Sequence, residues 1–93
     1  MYDQIKAAFP MKITLDQLQI GDEGIIEHYA GESELQGRLK ELGLVRGTKV
    51  VVERYAPLGD PIEIRVRGYH LAIRKQDAAC ITVIECHKII KGQ

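Results

Sequence analysis

Tryptophan is absent from this chain of 93 residues, and phenylalanine occurs once. Four tyrosines are the only other aromatic residues. That supply does not favour an aromatic groove for proline-rich peptides or a row of stacking platforms for single-stranded nucleic acid. An excess of charge is missing too: 13 basic residues balance 13 acidic ones. Nucleic-acid binders carry a basic footprint, so the balance argues against that partner. No apolar run approaches the roughly 20 residues of a membrane span, and no basic leader with an apolar core marks a secretory signal. The expectation is a cytoplasmic protein with no direct membrane insertion. Gly-rich phosphate loops, nucleophile elbows and paired carboxylates with a mechanism attached are all missing, so no enzyme is expected.

Two cysteines are too few for a disulfide framework. Cys80 and Cys86 flank one predicted strand, which at ~3.3 Å per residue holds them about 20 Å apart, against a bridging limit of ~7 Å. They are predicted to be buried structural thiols that share neither a disulfide nor a metal ion.

What is present organises around Ala56-Pro57-Leu58-Gly59-Asp60-Pro61. Before it lies the β-rich run Lys49–Tyr55, and after it the alternating run Ile62–Arg67, so the six residues read as the connection of a hairpin. Each proline restricts its own φ and the residue before it, and Gly59 supplies a permissive position. Further strands are predicted at Glu23–Tyr29, His70–Arg74 and Ile81–Cys86. Val50 and Val52 share one face, as do Ile62, Ile64 and Val66, and Leu71 and Ile73 point away from His70, Ala72 and Arg74; in the last strand Ile81, Val83 and Glu85 alternate with Thr82, Ile84 and Cys86.

One helix is clear. Ser33 with Gln36 fits a capping box, Leu35, Leu39 and Leu42 form one apolar stripe, and Gly43 follows as the terminating residue. Gly37 inside this helix implies close approach of another backbone. Thr14–Leu18 is expected to form one further helical turn, with Leu15 and Leu18 turned inward. Five strands and one helix between the first and second of them define a mainly β chain, best satisfied by a small, strongly curved barrel. Residues 11–85 form that domain, preceded by an extension (1–10) and followed by a tail (86–93).

Candidate metal ligands are His28, His70, His87, Cys80, Cys86, Asp60 and Asp77, but none form the close pairs of structural zinc sites. The histidines are expected to be ordinary sheet or surface residues. Arg65, Arg67, Arg74 and Lys75 are read as the solvated face of the sheet. The unexplained residues are apolar ones in connections: Leu44 and Val45 after the helix, and Leu58 at the hairpin tip. With Pro57, Gly59 and Asp60, they are the candidate partner-binding surface.

Three segments, Arg38–Thr48, Ala56–Ile64 and Arg67–Arg74, resemble the FeoA family of small proteins of bacterial ferrous iron uptake. The resemblance runs from about Met11 to Glu85. It implies an SH3-like barrel, kinship with the C-terminal domains of iron-dependent repressors of the DtxR type, and work beside the permease FeoB, which carries a cytoplasmic GTP-binding domain. The partner it implies is FeoB, with a second copy of the chain as the other candidate for the apolar loops. It leaves room for weak transition-metal binding (Fe2+ or Zn2+) without naming ligands. The alternative is a metal-responsive regulatory module related to the repressor domains.

Overall fold

The structure is a computed structural model that describes residues 11–86. The predicted extension Met1–Pro10 and the tail from His87 onward, including Ile89 and Ile90, lie outside them. Among the described residues six antiparallel strands form one sheet: β1 (Lys12–Thr14), β2 (Glu23–Tyr29), β3 (Lys49–Tyr55), β4 (Ile62–Val66), β5 (Tyr69–Ile73) and β6 (Ile81–Cys86). Their order is β1-β6-β2-β3-β4-β5, so β2 to β5 form a meander and β6 returns between β1 and β2. The expected count of five missed β1, whose three residues pair with Thr82–Ile84 of β6. Three residues are too few to show a period of two, so only pairing with β6 defines the strand. Strand β6 also runs one residue past the expected domain limit.

The alternating residues of β3 and β4 each present one buried face, and in β6 the structure selects Ile81 and Val83 over Ile84 and Cys86. Val50, Val52, Ile62, Ile64, Val66, Ile73, Ile81 and Val83 are buried together with Ile26, and Leu71 packs partly against them. Two register shifts, at Ile26/His28 between β2 and β6 and at Val52/Arg54 between β3 and β4, leave Glu27 and Glu53 as bulge residues. Bulges bend and twist their strands, which helps so short a sheet curl around one core.

A 3-10 turn at Leu15–Gln17 buries Leu15, and Leu18 follows it inward. Here the Thr14 N–H donates to Gln17 Oε1 at 3.0 Å, so a Thr-x-x-Gln box closes this turn. The box expected at Ser33 does not form. Helix α1 spans Ser33–Glu41 with Glu32 in the capping position, and Gln36 Nε2 donates to the Gly31 carbonyl at 3.0 Å instead. A second short helix, α2 (Lys75–Ala78), occupies what read as a plain connection, and its Ala78 is buried.

The end of α1 reverses two expectations. Gly43 has φ +88, its N–H donates to Lys40 O at 2.9 Å, and the Leu44 N–H donates to Leu39 O at 2.9 Å. This pair of bonds is a Schellman cap, whose geometry turns the third residue after the helix, Leu44, back onto the third from its end, Leu39. Leu44 is therefore sealed in the core beside Leu39, at 0% exposure, while Leu42 is left 45% exposed. Leu42, expected inside, is at the surface; Leu44, expected at the surface, is inside. Gly37 also departs from expectation, because a Cβ there would meet nothing within 4 Å.

Three tyrosine hydroxyls satisfy carbonyls that helix or turn ends leave without partners. Tyr29 donates to Leu44 O, Tyr69 to Leu42 O, and Tyr55 to Leu18 O and to Asp16 O at 3.2 Å. Burial raises the Tyr29 phenol above its ordinary pKa, and burial together with the negative charges of Asp16 and Asp22 raises that of Tyr55.

Candidate docking surface

The connection between β3 and β4 is held by its own backbone. The Gly59 N–H donates to Ala56 O at 2.7 Å, and the Ala56 N–H donates to Pro61 O at 3.0 Å. Pro57 at the second position, Gly59 at the fourth and a Leu58 φ that is not positive make residues 56–59 a type I turn. Gly59 has φ +90, the left-handed conformation that favours glycine, and the Asp60–Pro61 peptide is cis. Asp60 Oδ1 accepts the Lys75 N–H at 2.8 Å, tying the loop to the first residue of α2. At the base, Arg54 grips Glu63 with two bonds of 3.1 Å, and that hydrogen-bonded carboxylate raises the guanidinium's pKa further.

All of these contacts fix the backbone and none uses the side chain of Leu58. It is 96% exposed. The loop thus presents a large apolar group from a pre-ordered frame, the arrangement that limits the entropy lost on docking.

The six residues expected to form a partner surface separate into two groups. Pro57 and Leu58 are exposed, Gly59 shapes the turn, and Asp60 is exposed but engaged with α2. Leu44 is the correction, since a residue with no exposed surface cannot touch a partner. Val45 is half-buried and its carbonyl accepts the Thr48 N–H at 3.0 Å. Pattern reading missed other exposed apolar groups: Met11, Ile20, Leu42 and Tyr69. Ile20, placed just before the Gly21 turn, carried the same signal as Leu58.

The metal-ligand candidates do not converge. His28 is exposed, His70 Nδ1 lies 2.8 Å from Glu53 Oε1, and Asp77 lies 3.6 Å from Arg38. Cys80 and Cys86 are free, and they are half-buried, not fully buried as expected. Among the described residues, no three His, Cys, Asp or Glu side chains gather as a metal site. The basic residues of the sheet have local partners: Arg65 pairs with Glu53, and Arg67 donates to Thr48 Oγ1 at 3.1 Å. No helix among the described residues is long and apolar enough to cross a membrane.

A family model described as the FeoA domain matches residues 13–85. Over 69 residues the chain is 36% identical to a Fe(2+) transport protein A/Fe(2+) transporter FeoB fusion protein of Porphyromonas gingivalis, covering 74% of this chain and 8% of that protein. The chain is therefore similar to a small fraction of that relative. The structure is similar to a FeoA protein from Chlorobium tepidum, with TM-score 0.73, 44% identity, and coverage of 77% of this chain and 69% of that one. A zinc-complexed FeoA of Stenotrophomonas maltophilia, described as a prokaryotic SH3 domain protein, matches with TM-score 0.67 and 27% identity over 76% of this chain and 88% of that one. A manganese-dependent transcriptional repressor matches with TM-score 0.75 at 14% identity, over 83% of this chain and 43% of that one, a likeness of fold alone.

Proposed function

The chain belongs to the FeoA family, a mainly β, SH3-like fold linked to Fe2+ transport, and from that premise we propose that it is a non-enzymatic, cytoplasmic accessory protein acting by contact with a FeoB-type permease. The observation that carries the reading is the relative in which an FeoA-like segment and the transporter are one polypeptide. Fusion holds two modules at high effective concentration, an arrangement useful to partners that also meet as separate chains. The permease's GTP-binding domain is the contact proposed, with the Pro57–Asp60 loop as the surface and Leu58 as its apolar anchor. By binding one nucleotide state better than the other, this chain would bias the equilibrium between them.

The test is a pull-down of full-length FeoB with this protein, without nucleotide and with GTP or GDP. Retention that depends on nucleotide and is lost in Leu58→Ser supports the proposal. No retention in any state refutes the partnership; retention unaffected by Leu58→Ser refutes the surface. The alternative reading, a metal-responsive regulatory module, predicts a change of oligomeric state on adding Fe2+, Mn2+ or Zn2+, which sedimentation measures directly.

A further inference from the structure

Every sheet that does not close has two edges, and here they are built differently. The β1 edge is three residues long and carries Lys12, which pairs with Glu27 at 3.3 Å. Shortness and charge are the ordinary protections of an edge. The β5 edge, Tyr69-His70-Leu71-Ala72-Ile73, has neither. It contains no proline, no lysine, arginine or carboxylate, and no bulge, since its register with β4 is regular from Val66↔Tyr69 to Ile62↔Ile73.

The register says which backbone groups face outward. Arg67 (φ +50) and Gly68 (φ +88) form the two-residue turn of the β4–β5 hairpin. The flanking pair Val66↔Tyr69 is then hydrogen-bonded, and bonded pairs alternate along the ladder, making Ile64↔Leu71 and Ile62↔Ile73 bonded as well. The N–H and C=O groups of His70 and Ala72 point away from β4. Neither residue makes a backbone bond to another described segment. Beside Ala72 lies a groove of about 400 Å³ whose lining includes Leu42 and Ile73; Arg38 and Asp77 pair at its wall at 3.6 Å, which leaves Arg74 as the wall's unpaired charge among the described residues.

We propose that this edge and groove take an extended peptide segment with acidic ends, added to the sheet as a strand beside β5. His70 and Ala72 offer it two N–H donors and two carbonyl acceptors. The exposed Leu42 meets its inward side chains. Arg67 stands at one end of β5, and Arg74 and Lys75 stand at the other, all exposed. Those charges select against a second copy. Antiparallel self-pairing centred on Leu71 brings the Arg67 turn of one chain to the Arg74–Lys75 end of the other, at both ends, which like-charge repulsion opposes. An acidic-ended strand is attracted by the same groups.

The experiment titrates the full chain, labelled with 15N, with two synthetic peptides: Ac-Glu-Asp-Val-Thr-Val-Thr-Val-Asp-Glu-NH2 and its analogue with lysine at the four end positions. The acidic-ended peptide is expected to shift the amide signals of Tyr69–Ile73 and to slow hydrogen exchange at His70 and Ala72. It should bind about tenfold more tightly than the lysine-ended one, a margin that high salt removes. Ala72→Pro deletes an outward N–H at an edge position that tolerates proline and should abolish binding. Should that variant not fold, methylating the peptide's threonine amides is expected to abolish binding with the protein unchanged. Arg74→Glu should narrow the preference. Equal binding of the two peptides, or shifts confined to other strands, overturns the proposal. Slow exchange at His70 and Ala72 in the free protein also overturns it, since a second copy or the chain's own ends would then already hold the edge.

Discussion

Leu44 and Leu58 are the same residue type, and both interrupt connections where polar groups are usual. The structure predicts opposite consequences for changing them. Leu44 is at 0% exposure, packed beneath the α1 cap, while Leu58 is 96% exposed. Truncating a fully buried leucine removes its transfer free energy and leaves a cavity, for a cost of about 2–5 kcal/mol. In a domain of this size 1 kcal/mol shifts Tm by roughly 4–8 °C, so Leu44→Ala at about 3 kcal/mol should lower it by roughly 12–24 °C. Leu58→Ser alters a side chain that has lost almost no water contact on folding, and exposed changes of this kind stay within about 0.5 kcal/mol, or less than roughly 4 °C. Thermal unfolding followed by far-UV circular dichroism measures both variants against the parent. A loss above roughly 5 °C in Leu58→Ser would mean that the loop leucine is a packing residue, and would remove the basis for assigning it to a partner. A Leu44→Ala variant as stable as the parent would refute the description of the α1 cap.

Three further outcomes follow from particular positions. Gly43→Ala carries two penalties, a φ of +88 and a Cβ 2.6 Å from the Tyr69 hydroxyl, and should cost more than the ~1 kcal/mol of a left-handed alanine alone, read as a lowered urea midpoint. Gly37→Ala, placed in open space within α1, should raise stability by about 0.5–1 kcal/mol, because alanine loses less backbone entropy; a loss would mean that the position is not free. The raised pKa values of Tyr29 and Tyr55 make their contribution complete below pH ~10, where the unfolded phenol titrates, and lost as pH rises through the higher folded values. Tyr55→Phe should therefore be about 1 kcal/mol less stable at neutral pH yet lose stability less steeply above pH ~10, and an unchanged alkaline slope would contradict the assignment.

Much of the architecture was legible in the sequence because the forces that set it are local. Alternation of Val50, Val52, Ile62, Ile64 and Val66 marks two strands whatever their neighbours. Two prolines and a glycine between Ala56 and Ile62 specify the turn, so its bounds and its left-handed Gly59 followed from backbone sterics. Gly43 marked the end of α1 for the same reason. The three segments that carry the family resemblance lie within residues 13–85, the span the FeoA domain matches.

The remainder depended on where distant parts of the chain meet. Strand β1 exists because Ile13 finds Val83, a pairing no pattern of three residues announces. The inversion of Leu42 and Leu44 arises because a helical stripe continues by angle only until the cap, after which the chain direction decides which side chain enters the core. Tyr29, Tyr55 and Tyr69 could have been packing residues on sequence grounds. Their hydroxyls became fasteners only once the fold brought the carbonyls of helix and turn ends to them. The place of β5 at an edge of the described sheet is likewise a property of the assembled fold, since a strand is central or terminal only relative to the others. Composition, periodicity and turn chemistry thus determined α1, β2 to β6 and their order along the chain, because each acts over a few residues, but not β1 or α2. Tertiary structure alone decided which apolar side chains of the connections are covered, Leu44 inside and Leu58 outside, because burial there depends on what the rest of the chain leaves open.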